Sequence, residues 1–275
     1  MTLSEKLEEM RMGISSRSLT KDTTQEGSMD SETCPICGGL EWTTEMIDGV
    51  GYAFPCKCRA KNMMKRRIRF AEIPEAFKDM HLNTFRSDVY KNSESKAKII
   101  LACKMIKEYL KMFDEAKNSG MGLYIYSKAK GSGKTRMAAS IANELIEKHD
   151  TCVKFASSTQ ILSEIKRTFD MDSEYTESHL LDALIMAEVL VIDDFGTEKV
   201  TEWVKDRFYQ IVNSRYINRK VTIYTSNESL ETLKYDDRIT NRIKERSYQI
   251  DFPEESVRDH ISQANMIRMI SKVMG

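Results

Sequence analysis

Apolar residues recur along the chain in two rhythms, and the alternation between them outlines the architecture. Short, almost wholly apolar runs occur at 123–126 (LYIY), 152–156 (CVKFA), 189–193 (VLVID), 221–226 (VTIYTS) and 247–252 (SYQIDF). Between them the apolar positions keep a helical period, which predicts helices over 134–148, 158–169, 177–187, 201–218 and 236–246. Ahead of the first run, Ala97, Ile100, Leu101, Met105, Tyr109, Leu110 and Phe113 predict one long helix over 93–117, ended by Gly120 and Gly122. Runs that are apolar on both faces and alternate with helices indicate a parallel sheet covered on both sides, so the expected fold class is α/β, doubly wound.

The front of the chain has a different texture. Leu3, Leu7 and Met10 lie at helical spacing and predict a short amphipathic helix over 1–12. Residues 15–33, rich in Ser, Thr, Asp and Lys, bring too little apolar surface to order themselves and read as a linker. Cys34, Cys37, Cys56 and Cys58 follow, and then the basic run KCRAKNMMKRRIR (57–69), on a predicted helix that Pro74 stops. The expected division is 1–33, an N-terminal helix and flexible linker; 34–70, a cysteine module with its basic linker helix; and 71–275, the α/β domain. A chain of 275 residues has room for one such domain and a small appendage.

Composition changes this picture in two places. Lys plus Arg (42) equal Asp plus Glu (42), so net charge supports no indiscriminate binding of polyanions, and nucleic acid could be held only by local patches. The 57–69 run is one candidate, with a solvated linker as the alternative; Lys166, Arg167 and Phe169 are a second, with an ordinary surface helix as the alternative. No run approaches the roughly 20 apolar residues that cross a bilayer, and the start lacks the apolar core of a secretory signal. The expected location is therefore the cytoplasm, with no membrane partner. In that reducing setting the six cysteines are not expected to pair as disulfides. The pattern C-x2-C, eighteen residues, C-x-C suits a closed tetrahedral structural Zn²⁺ site formed by Cys34, Cys37, Cys56 and Cys58, with a redox dithiol as the rival. Cys103 and Cys152 read as small buried hydrophobes.

The chemistry concentrates in LYIYSKAKGSGKTRMAASIANEL, where a strand runs into Lys130-Gly131-Ser132-Gly133-Lys134-Thr135-Arg136 and on into a helix. Small residues let successive backbone N–H groups close around an anion, the helix N-terminus favours negative charge, and Lys134 can reach outer phosphates. Thr135 can ligate Mg²⁺ where the metal bridges β- and γ-phosphates. The pattern departs from the full phosphate-loop motif at Lys128, where glycine is expected. VLVIDDFG puts Asp193 and Asp194 at the carboxyl end of a buried strand; Asp193 is expected to hold the metal, directly or through water, and Asp194 to orient or activate the attacking water. In Thr225-Ser226-Asn227, Asn227 could hold that water or, alternatively, cap a following helix.

These motifs resemble the AAA+ ATPases, and within them the bacterial and phage helicase loaders of the DnaC/DnaI type. The resemblance covers nearly the whole chain: CPICGG, PCKCRA, IPEAFKDMHLNTF, SKAKGSGKTRMAASIA, VLVIDDFG, TIYTSN, DDRITNRIKERS and SVRDH. It implies an AAA+ P-loop NTPase domain preceded by a small zinc module. Lys134 and Thr135 then resemble the Walker A pair, Asp193 and Asp194 Walker B, and Asn227 sensor 1. Arg242, with Arg238 as second candidate, is similar to the arginine finger through which subunits self-associate; either could instead pair with Asp236, Asp237 or Glu245. Arg258 resembles the sensor 2 arginine, although the twenty or so residues after the last strand are too few for a helical lid. The implied cofactors are ATP, Mg²⁺ and Zn²⁺, and the implied partners a hexameric replicative helicase and single-stranded DNA. A transposition helper ATPase of the IstB type and a non-hydrolysing nucleotide-dependent scaffold are the competing expectations, and the four-cysteine module favours the loader.

Overall fold

A computed structural model describes residues 34–40, 42–47, 50–57, 72–169 and 176–274. The expectations for the helix at 1–12, the linker at 15–33, Cys58 and most of the basic run at 57–69 lie outside the described residues. The chain divides into two compact units, Met1–Arg59 and Ala60–Gly275.

In the first unit, β1 (Trp42–Ile47) pairs antiparallel with β2 (Val50–Pro55), from Trp42 opposite Pro55 to Ile47 opposite Val50. The apolar pattern alone does not announce these two strands. The signal was present, because two residues, Asp48 and Gly49, separate the paired ends, and Asp-Gly between strand-forming runs favours a tight hairpin.

In the second unit, five strands form one parallel sheet: β3 (Gly122–Tyr126), β4 (Val153–Ser157), β5 (Val189–Phe195), β6 (Val221–Ser226) and β7 (Ser247–Asp251), in the order β4-β5-β6-β3-β7. Side chains alternate between its faces. Val189 and Val191 of β5 point into a core with α1 (Ser93–Lys111), α2 (Phe113–Ser119) and α3 (Lys134–His149). Leu190 and Ile192 point into a second core with α4 (Ser158–Arg167), α5 (Glu177–Met186), α6 (Glu202–Ile217) and α7 (Asp237–Glu245). Each wholly buried Leu, Ile or Phe in these layers contributes roughly 1.5–3 kcal/mol.

Two internal details hold the layers. Gly122 is the first residue of β3, not a helix terminator, because a Cβ there would lie 1.8 Å from the Thr222 carbonyl oxygen of β6. Arg215 of α6 is 1 % exposed and donates to the carbonyls of Leu184 (2.7 Å), Ile185 (3.1 Å) and Ala187 (2.9 Å), closing the end of α5. Burial pushes its pKa down to about 9.

The predicted helix over 93–117 is two helices, because the backbone turns at Met112 so that Phe113 can be wholly buried. A further helix, α8 (Val257–Met274), follows β7; its second half carries an apolar stripe, Met266, Ile267, Met269, Ile270 and Val273, that is exposed. Cys103 and Cys152 are half-buried rather than buried, and burial pushes the Cys103 thiol up. No described helix is long and apolar enough to cross a membrane.

Candidate nucleotide-binding site

Because β3 lies between β6 and β7 while the chain continues to the far edge at β4, the carboxyl ends of β3, β5 and β6 open onto a common crevice. The 127–133 turn leaves β3 there and enters α3 through Gly133, at φ +97°. Gly131 also has positive φ, +78°. A Cβ on Gly131 would lie 3.0 Å from Ser256 Oγ and 3.2 Å from Arg258 Cβ, and one on Gly133 would lie 3.1 Å from Tyr90 Oη. Conformation and crowding both require glycine at these two positions.

Lys134 is 5 % exposed, and its ammonium donates to the carbonyls of Ser127 (3.1 Å) and Ala129 (3.0 Å) and to Ser132 Oγ (3.3 Å). Burial lowers its pKa, while Asp194, Glu254 and Asp193 act in the opposite direction. Lys128, where the motif expects glycine, does not have positive φ, so the backbone makes no demand for glycine there. Its N–H and that of Ala129 donate to the two carboxylate oxygens of Glu254, each at 3.0 Å. Val257 N–H donates to the Gly131 carbonyl at 3.0 Å, so the start of α8 is tied to the loop. Arg258, on α8, packs on Gly131 and is near enough to Lys134 to depress its pKa.

The acidic pair is shaped by an irregularity in the sheet. Ile192 lies opposite Tyr224 and Phe195 opposite Ser226, so Asp193 and Asp194 together face Thr225 alone, a β-bulge. The Thr225 hydroxyl serves both: it donates to Asp193 Oδ1 at 2.5 Å and accepts from the Asp194 N–H at 2.9 Å. Asp194 has φ +53°, a region disfavoured for residues with a side chain. Asp193 is 7 % exposed, and Thr135 lies near enough to influence its ionisation. Burial raises its pKa, and the bond from Thr225 and the proximity of Thr135 oppose that rise. A hydroxyl at the start of α3 and a carboxylate at the end of β5 are thus brought near each other with β6 between their strands. Both are hard oxygen donors, the type that suits Mg²⁺.

The other predicted residues fall as follows. Ser132 is wholly buried, and Lys130 is exposed. The Arg136 side chain turns away from the loop to the Thr84 carbonyl (2.7 Å) and the Phe85 ring (5.4 Å), leaving only its backbone at the helix start. Asn227 follows β6 directly and caps no helix; the next helix begins at Asp237, capped by Asp236. Arg238 pairs with Asp236 (2.9 Å) and covers Tyr209 (4.9 Å). Arg242 lies over Tyr209 (5.2 Å) and Tyr216 (5.7 Å) and donates to the Arg238 carbonyl (2.5 Å). Arg167 is paired with Glu164 (3.0 Å), while Lys166 sits 5.3 Å from the Trp203 ring, which Phe169 meets edge-on. Thr225 and Glu254 had not been singled out from the sequence as site residues.

In the first unit, the Sγ atoms of Cys34, Cys37 and Cys56 lie within 4.8 Å of one another, with Cys34 and Cys56 at 3.8 Å. About 3.8 Å is the edge of a sulfur tetrahedron around Zn²⁺ when each bond is about 2.3 Å. It is far beyond a disulfide bond. The turn between Cys34 and Leu40 passes through Gly38 and Gly39, both at positive φ.

Comparison with known proteins agrees with this arrangement. The sequence model of the family described as IstB-like ATP binding protein matches residues 58–263. The Phage-like element PBSX protein XkdC of Bacillus subtilis (strain 168) is 27% identical over 251 residues, covering 89% of this chain and 90% of that protein. Replicative helicase loader DnaI of the same organism is 33% identical over 132 residues, 47% of this chain but only 40% of DnaI. Among solved structures, that of the DnaC helicase loader superposes with a TM-score of 0.54 at 23% identity, covering 65% of this chain and 99% of that one, a likeness of fold.

Proposed function

As a member of the family of IstB-like ATP binding proteins, the chain is one that, we propose, binds and hydrolyses ATP with Mg²⁺ and acts as a helicase loader in DNA replication. The nearness of Thr135 to Asp193 carries the chemical part of this reading, because it sets a phosphate-binding helix start beside a buried carboxylate. Thr135 and Asp193 would hold Mg²⁺, which when bound would offset the negative charge of the phosphates. The N–H groups of the 131–136 turn hold the phosphates, and Lys134 exchanges the loop carbonyls for phosphate oxygens. Asp194, presented by the bulge, orients a water toward the γ-phosphorus; as the new P–O bond forms, the bond to the β,γ-bridging oxygen breaks and ADP leaves. Asn227 lies beside that water, and Arg258 faces the polyphosphate from α8.

Arg242 or Arg238 acts in a neighbouring subunit's site, which requires the side chain to leave its tyrosine faces. Likeness to the replicative helicase loader DnaI over part of its length supports a role beside a replicative helicase, and a hexameric helicase and single-stranded DNA are the partners proposed with that role. The cysteine triad supports a structural Zn²⁺ site completed by Cys58. The family's description keeps a transposition helper of the IstB type as the second reading. Turnover with and without single-stranded DNA, compared between the parent and Asp194→Asn, tests the chemistry. The variant is expected to bind ATP and not hydrolyse it, and unchanged hydrolysis refutes the assignment of Asp194. Co-elution with a hexameric replicative helicase in ATP tests the loader reading, and co-elution with a transposase instead refutes it.

A further inference from the structure

The strained turn after β5 is held by more than the sheet. The Asp194 carbonyl accepts from Thr197 Oγ1 (2.8 Å) and from Ser158 Oγ (3.0 Å). The Ser158 hydroxyl has a single proton, and it shares it with Glu198 Oε2 at 2.5 Å. The other Glu198 oxygen accepts from the Gly196 N–H (3.2 Å) and from the Tyr235 hydroxyl. One carboxylate thus gathers the turn, the first residue of α4 and a tyrosine from the segment between β6 and α7.

Tyr235 is 7 % exposed, and its ring stacks on Phe195, the residue after Asp194, with centroids 4.8 Å apart and planes 5° apart. Its neighbour Asp236 caps α7 by accepting from Ile239 N–H and pairs with Arg238. Burial, and then the nearby Glu198, push the Tyr235 phenol well above its ordinary pKa, so that it remains a donor. The path from the arginine-bearing helix to Asp194 is therefore contiguous: α7, Asp236, Tyr235, then Phe195 and Glu198.

We propose that Glu198 and Tyr235 are a positioning pair that holds Asp194 in its left-handed conformation and couples it to α7, so that the hydrolytic carboxylate responds when the arginines of the same subunit engage a neighbour. This rests on the proposed hydrolysis. It goes beyond it in naming two residues that touch neither nucleotide nor metal. A two-state shift of α7 would be felt at Asp194 through one hydrogen bond and one ring stack.

The test uses the full chain as Tyr235→Phe, Glu198→Gln and the double variant, with kcat and KM for ATP, the thermal midpoint, and hydrogen exchange of the first α7 amides with and without a non-hydrolysed ATP analogue. Tyr235→Phe keeps the stack and removes only the hydroxyl. It is expected to lower kcat about tenfold, to leave KM within about twofold, and to abolish the analogue-dependent change in α7 exchange. The double variant should lose less than the two singles combined, since the two changes share one contact. A parent that hydrolyses ATP while Tyr235→Phe keeps its kcat refutes the pair alone. So does a kcat loss that merely follows the thermal midpoint, with α7 exchange still responding to the analogue. A parent that binds no ATP refutes the underlying function instead.

Discussion

Thr225→Val changes a single hydroxyl while keeping the shape of a wholly buried side chain. It removes the donor 2.5 Å from Asp193 Oδ1 and the acceptor of the Asp194 N–H. A hydrogen bond to a charged group contributes about 1.5–3 kcal/mol, and an orphaned buried N–H costs about 1–3 kcal/mol. The first loss falls on metal binding, because the carboxylate is no longer oriented and its pKa, already raised by burial, rises further. Loss of such a supporting partner costs roughly 10- to 100-fold in metal affinity, or about 1.4–2.8 kcal/mol, which agrees with the hydrogen-bond figure. The half-saturating Mg²⁺ concentration for ATP turnover should therefore rise at least about tenfold. A Mg²⁺ titration at saturating ATP measures it, with a thermal melt as control for folding. A variant that folds and reaches half-saturation within about twofold of the parent's Mg²⁺ concentration refutes the claim that Thr225 supports the metal carboxylate.

Three further outcomes follow from the same geometry. Asp193 has a raised pKa, so in the metal-free protein it contributes stability while protonated, present at low pH and lost as pH rises through that pKa. Mg²⁺ with a non-hydrolysed ATP analogue should consequently raise the thermal midpoint more near pH 7 than near pH 5, and an equal or reversed shift in calorimetry refutes this. Arg215→Met leaves the carbonyls of Leu184, Ile185 and Ala187 without a donor. The expected loss is about 3 kcal/mol, because desolvation already offsets part of the arginine's contribution, and it should lower the midpoint by roughly 6–12 °C. Purified protein should carry about one Zn²⁺ per chain by elemental analysis, and Cys56→Ser should lose it; retention of full occupancy by that variant refutes the thiolate assignment.

Local patterns were sufficient wherever the determinant is local. Most of the strands announce themselves because β3, β5 and β6 are buried on both faces, and the phosphate loop because glycines, lysine and threonine must be consecutive to surround an anion. Asp193 and Asp194 stand out because they end an apolar run. The hairpin is legible in Asp48-Gly49, and α8 in the apolar stripe of its second half. Only the folded chain decides that Thr225 faces both acids, because that depends on a bulge between strands that pair through space. Glu254 holds the loop from 126 and 125 residues away, and Tyr235 reaches Glu198 across 37. Spacings of this kind carry no period and leave no trace in sequence. Which residue types can do the chemistry was written along the chain; which of them meet was decided by the order β4-β5-β6-β3-β7, which sets β6 between the loop and the acids.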